Sequence, residues 1–273
     1  MFNMLSGEFY KLRKSRSFFV CGVVIILFVL FMYGTLHLAQ SMEGQEVTQE
    51  TENGEVAFQV EKNAELDRIS IVDMEQLVIG TMMGLVTAVF ACIFVVGEYG
   101  NGTVKNAVGK GFSREKVFLA KYVTTIFAAV VIFFVATVVT VITGLLFWGK
   151  DSIDAEGVKQ LLQYVGLQTL LEIALISIVI MIAEFCRNLG SGIAVSVGVM
   201  MIANVIFIGM DTLLEFLHVD FQTSNYWIMN LVSQCPTVGV ENQLVTRIVI
   251  AFLFWTVVTM AAGMLHFKKA DVK

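Results

Sequence analysis

Hydrophobic and polar positions divide this chain into six long apolar runs, at about residues 18–39, 77–96, 122–148, 164–185, 191–209 and 246–267, separated by polar connections. Each run is close to the roughly 20 residues that a helix needs to cross about 30 Å of hydrocarbon. The pattern therefore predicts an all-α, polytopic membrane protein with six transmembrane helices. The first run follows basic residues, as a signal peptide's apolar core would, but at about 22 residues it exceeds the 7–15 of such a core. It reads as a retained span.

Ahead of it, residues 1–17 place Phe2, Leu5, Phe9 and Leu12 on one helical face, and Lys11, Arg13, Lys14 and Arg16 gather at the end. That arrangement predicts an interfacial helix lying on an anionic leaflet. The remaining 18–273 hold the six spans. Its connections are unequal. The turn after the fourth run is four residues long, whereas 97–121, GEYGNGTVKNAVGKGFSREKVFLAK, is about 25, with five glycines and five of the eighteen Lys and Arg residues. A connection so long and so charged is expected to dock something. Ser113 reads as an N-cap restarting a helix.

Composition agrees with a membrane protein. The 273 residues are 57% hydrophobic and 15% charged, with a mean hydropathy of +0.78, against about 25% charged in a soluble domain. The net charge of −5 hides an acidic segment, since ten of the twenty-three acids fall between Glu43 and Glu75. With no basic patch interleaved with aromatics, nucleic-acid binding is excluded. Cys21, Cys92, Cys186 and Cys235 have no metal or disulfide spacing.

Thirteen of the eighteen basic residues fall together if both termini, 97–121 and the turn at Arg187 share one side. By the positive-inside rule that side is the cytoplasm. The loop 40–76 is then extracellular, acidic, and expected to be flexible or lightly folded. The segment 210–245 is also extracellular but differs, since DTLLEFLHV spaces Leu213, Leu214 and Leu217 as a short amphipathic helix before the last span. Asn225, Tyr226 and Trp227 suit the membrane–water interface. No internal repeat is visible.

Catalytic chemistry finds no foothold. At Gly109-Lys110 a phosphate loop fails, because Val104 stands where the first Gly belongs and Gly111 where Ser or Thr belongs. His37, His218 and His266 are far apart, and no zinc-protease or serine-hydrolase motif occurs. No catalytic or metal-binding residue is expected. Asn101-Gly102-Thr103 matches a glycosylation sequon but lies on the cytoplasmic side. Within the spans, Glu172 is a candidate for a substrate path. Glu184 reads as an interfacial acid pairing with Arg187, and Gly80 with Gly84 as a small-xxx-small packing face.

The stretch E-Y-x-N-G-T-x-K (Glu98, Tyr99, Asn101, Gly102, Thr103, Lys105), followed by Ser113, Arg114, Lys116 and Lys121, resembles the permease subunits of ABC-2 type exporters. Its wording is similar to the branch serving lantibiotic and bacitracin-type peptide export or immunity. Glu8, Lys11 and Leu12 extend the likeness to the N-terminus. The resemblance implies a bacterial plasma-membrane permease without its own ATPase. It implies a cytoplasmic coupling helix lodged in a separate ATP-binding cassette subunit, with Glu98, Tyr99, Asn101, Gly102, Thr103, Lys105 and Arg114 as coupling residues. ATP and Mg would be bound by that partner and no cofactor by this chain. A second copy or sister permease would complete the transporter, and an amphipathic peptide or similar lipophilic compound would be the cargo. Exporters of a drug, an ion or a glycan share these features. An ATPase-independent sensing module is the reading from another class.

Overall fold

A computed structural model describes residues 2–42, 46–51, 54–59, 71–100, 109, 111–149, 155–219, 221–235 and 241–269. The amphipathic N-terminus forms α1 (Phe2–Lys14), and a break at Ser15 leads into α2 (Arg16–Met42). Strands β1 (Glu46–Thr51) and β2 (Gly54–Gln59) pair antiparallel, Val47 opposite Phe58. Then come α3 (Ile71–Val78), a π-helical segment Ile79–Met83, and α4 (Gly84–Gly100). The long helices α5 (Arg114–Trp148), α6 (Ala155–Cys186) and α7 (Leu189–Phe216) follow. A 3-10 turn (Thr223–Tyr226), the short α8 (Ile228–Gln234) and α9 (Asn242–Lys269) complete the chain.

Five of these helices, α2, α5, α6, α7 and α9, are long and apolar enough to cross a membrane, and Gly84–Tyr99 is a shorter apolar helix. The chain is a polytopic membrane protein built from helices, with one hairpin that the apolar pattern did not anticipate. The second apolar run is met by a helical path from Ile71 to Gly100 interrupted by the π segment, whose flanking residues Val78 and Gly84 both keep right-handed helical dihedrals. Thirty residues at 1.5 Å each reach about 45 Å.

The helix α6 is the hub. In its most apolar window 72% of residues are buried, against 6% for α7 at the periphery. It packs against α4, α5, α7 and α9. Close approach is enforced at Gly144 of α5, where an added Cβ would come within 2.6 Å of Ile71 Cγ1 and 2.8 Å of the Tyr33 hydroxyl. That hydroxyl donates to the Thr140 carbonyl oxygen at 2.9 Å.

Three expectations change. Helix α3 absorbs residues assigned to a connection, so Glu75 is a fully buried residue of α3 that receives a hydrogen bond from Thr137, and the acidic loop ends earlier. Of the stretch 97–121, residues up to Gly100 belong to α4 and those from Arg114 to α5, as the N-cap reading of Ser113 expects, while 101–108 and 110 lie outside the described residues. DTLLEF is the end of α7 rather than a separate surface helix, with Leu213 and Phe216 exposed. The short helix before the last span is instead α8. Trp227, expected at the interface, is 2% exposed, stacked on Phe207 and edge-on to Trp255. The turn that brings it in is held by Asp211, whose carboxylate accepts from the Thr223 hydroxyl at 2.6 Å and the Ser224 N–H at 3.1 Å.

Candidate functional site: a charged junction at one end of the bundle

Both chain ends lie at one end of the bundle. The Arg114 side chain donates to the Lys268 carbonyl oxygen at 2.9 Å, Lys268 pairs with Glu115 at 2.8 Å, and Phe118 packs on Phe267. The same end collects α1, the end of α4 and the end of α6. Ser113 has the extended backbone of an N-cap, but its side chain makes no capping bond.

The buried stripe of α1 is Met4, Glu8 and Leu12, flanked by half-buried Leu5 and Phe9, the latter edge-on to Phe127. The predicted apolar face is therefore present, with a carboxylate in it. Glu8 accepts from Lys11 Nζ at 2.5 Å, and Lys11 reaches across to Glu98 Oε1 of α4 at 2.7 Å. Glu98 Oε2 lies 3.4 Å from Lys121 Nζ of α5, which lies 3.4 Å from Glu184 Oε1 of α6. The Tyr99 hydroxyl donates to Glu184 Oε2. Its ring carries Lys121 on one approach (4.6 Å) and Arg187 on another (5.3 Å). Carboxylates and cations thus alternate across four helices.

Burial sets the electrostatics. Lys121 is 1% exposed and Glu184 is fully buried, so neither is the interfacial or loop residue that the sequence suggested. Glu184 pairs with Lys121 and Tyr99, partners 63 and 85 residues away. Burial, with the Glu98 charge beside it, pushes the Glu8 carboxyl up to about 7. Burial works against charging Lys11, but its hydrogen bonds to Glu8 and Glu98 outweigh this and hold its ammonium above the ordinary value. A low-dielectric network of this kind is stable only while every member keeps its partner.

The sequence-predicted residues divide accordingly. Glu98 and Tyr99 stand in the network, and Arg114 at the latch to α9. Asn101, Gly102, Thr103 and Lys105 lie outside the described residues. Sequence reasoning missed Lys11, Lys121 and Glu184 as a unit with Glu98; the available signal was three ionisable residues at the ends of different apolar runs. Among the described residues no group of three or more His, Cys, Asp or Glu side chains could hold a metal ion. Of the glycine pair, Gly84 meets α6, its virtual Cβ 3.0 Å from Leu175 Cδ2, while Gly80 faces open space.

A second carboxylate site lies further along the same helices. Glu172 of α6, 7% exposed, borders a cavity of about 230 Å³ with Gly80, Gly84, Leu85, Met200 and Met229. Twelve residues separate it from Glu184, about 18 Å along the helix.

The network is a run of ion pairs across four helices, with the second oxygen of Glu8 left without a partner among the described residues. Such a joint suits a membrane domain that moves as a body. The sequence matches the ABC-2 family transporter protein family over residues 2–272. No curated protein matches it. An apolar helical bundle with a braced junction and a match along nearly its whole length leads to one conclusion: the chain belongs to the ABC-2 transporter family, as a membrane permease domain that is not itself catalytic.

Proposed function

We propose that this chain is the half-permease of an exporter driven by a separate ATP-binding cassette subunit, and that the connector 101–113 is where it receives force. The observation that carries this reading is the Lys11–Glu98–Lys121–Glu184 network. It joins the helix entering the connector (α4) to the helix leaving it (α5), and both to α1 and the hub α6. A displacement of the connector therefore moves four helices together, and α1, with its basic flank, gives the joint a fixed reference on the leaflet. Coupling at both ends of the stretch, through Glu98 and Lys121, supports docking there alongside its length and charge.

In this reading the junction end faces the cytoplasm, since the basic residues of α1, α5 and the end of α9 cluster there, and the path from Ile71 to Gly100 supplies the sixth crossing. Two permeases, identical or sister chains, sit on two ATPase subunits that bind ATP and Mg. The cargo is an amphipathic, antimicrobial-type peptide or a comparable lipophilic compound. The finer placement in the lantibiotic and bacitracin branch rests on the wording of residues 102–121.

The test is reconstitution of the permease with its cognate ATPase in lipid. Lys105→Glu and Thr103→Pro, both in the connector, are expected to lower permease-stimulated ATP hydrolysis at least tenfold while both variants melt like the parent. Parental stimulation in both variants would overturn the proposal.

A further inference from the structure

The cavity beside Glu172 differs in kind from the charged junction. It is walled by the π segment and α4 (Gly80, Gly84, Leu85), by α6 (Gln168, Glu172) and by methionines of α7 and α8. Among the described residues that line it there is no lysine or arginine. Glu172 is more than nine-tenths buried, and its Oε1 has no hydrogen-bond partner among the described residues. The one amide nearby is committed elsewhere, since Gln168 donates to the Val232 carbonyl oxygen of α8 at 3.4 Å. Thr87 serves the carboxylate, but an oxygen left unpartnered at membrane depth is costly, and beside it the described residues leave room rather than a cation.

The room is shaped. The π segment widens the helix at Gly80, and no side chain fills the space there. At the rim Leu85 and Met201 are exposed, so the cavity opens sideways from the bundle between α4 and α7. Its 230 Å³ exceeds the roughly 150 Å³ that accommodates a benzene ring. Methionine side chains at the wall adapt to varied aliphatic shapes.

We infer that this cavity binds the primary ammonium group of a cationic amphiphile, with the ammonium donating to Glu172 Oε1 and the hydrocarbon tail leaving between Leu85 and Met201. The charge-assisted bond supplies the partner that Glu172 lacks, and the apolar rim matches the tail. This deepens the permease reading, on which it rests, by assigning the substrate's recognised group.

The experiment uses the full chain in phosphatidylcholine nanodiscs, whose neutral headgroups do not compete for the amine. Dodecylammonium and 1-dodecanol are titrated, with empty nanodiscs subtracted. The parent should bind the ammonium at least tenfold more tightly than the alcohol. Glu172→Gln should remove that preference. Gly80→Leu, placed in open space, should weaken both ligands without lowering the melting temperature, which keeps the test decisive if Glu172→Gln misfolds. Equal binding of the two ligands by the parent, or an ammonium preference surviving in Glu172→Gln, or parental binding in Gly80→Leu would overturn the inference. No ATPase is present, so such a failure leaves the coupling proposal standing.

Discussion

Glu184 and Glu172 sit on the same helix, about 18 Å apart, both buried, and they have opposite surroundings. Glu184 meets Lys121 and Tyr99, and through Lys121 the chain of charges to α1. Glu172 meets an apolar cavity and has an oxygen without a partner. A buried carboxylate surrounded by its own cations is a fixing, because its desolvation cost is offset inside the fold. One that borders a cavity with an oxygen unpartnered has no such offset among the described residues, which is what the inferred ammonium would supply. Burial alone would have classed the two together.

The sharpest way to break this contrast is to remove the charge partner at the junction. Lys121→Met leaves Glu98 and Glu184 without a shared cation and is expected to cost about 3–5 kcal/mol, read as loss of folded protein in detergent unfolding. Glu172→Gln, which removes a charge that has no partner, should leave stability unchanged or raise it. Equal losses in the two variants would erase the distinction.

A smaller effect follows from Glu8. Its carboxyl, near 7 in the folded chain against an ordinary 4.5, holds its proton more tightly folded than unfolded. Its contribution to stability is therefore complete below about 4.5 and is lost as pH rises through 7. The difference in melting temperature between the parent and Glu8→Gln should shift in favour of the variant from pH 5 to pH 8. A pH-independent difference would show that the Lys11 bridge holds Glu8 ionised throughout.

The smallest effect belongs to the exposed end of the same junction. Glu115 and Lys268 pair in solvent, where screening and side-chain entropy cancel most of the attraction. Lys268→Gln should not move the melting curve measurably, whereas the buried Lys121 should. A large loss at Lys268 would mean that the α5–α9 latch, rather than the buried network, holds this end together.

Much of the fold was legible. Apolar runs of spanning length mark the helices, since hydrocarbon thickness sets a length that composition alone can satisfy, and the spacing of Leu5, Phe9 and Leu12 marks the face of α1. Helix ends were less so. The restart at Ser113 was legible, and α5 begins at Arg114. Ile71 to Gln76, by contrast, carry charges and read as loop, yet they are helical because burial against neighbouring helices supplies partners that no local pattern encodes. Of the candidate site residues, Glu172 is named by its depth in a span and Glu98 and Tyr99 by the family resemblance, whereas Lys121 and Glu184 read as loop and interfacial residues.

By itself, then, the sequence determined that this is a helical membrane protein, because periodicity and run length are local properties. The family match over residues 2–272 adds that it is an ABC-2 permease. Only the tertiary structure decided which acids are paired. Partnership between Lys11, Glu98, Lys121 and Glu184 spans residues far apart in the chain, and in a low-dielectric interior a few ångströms between a carboxylate and a cation separate a structural joint from an open binding site.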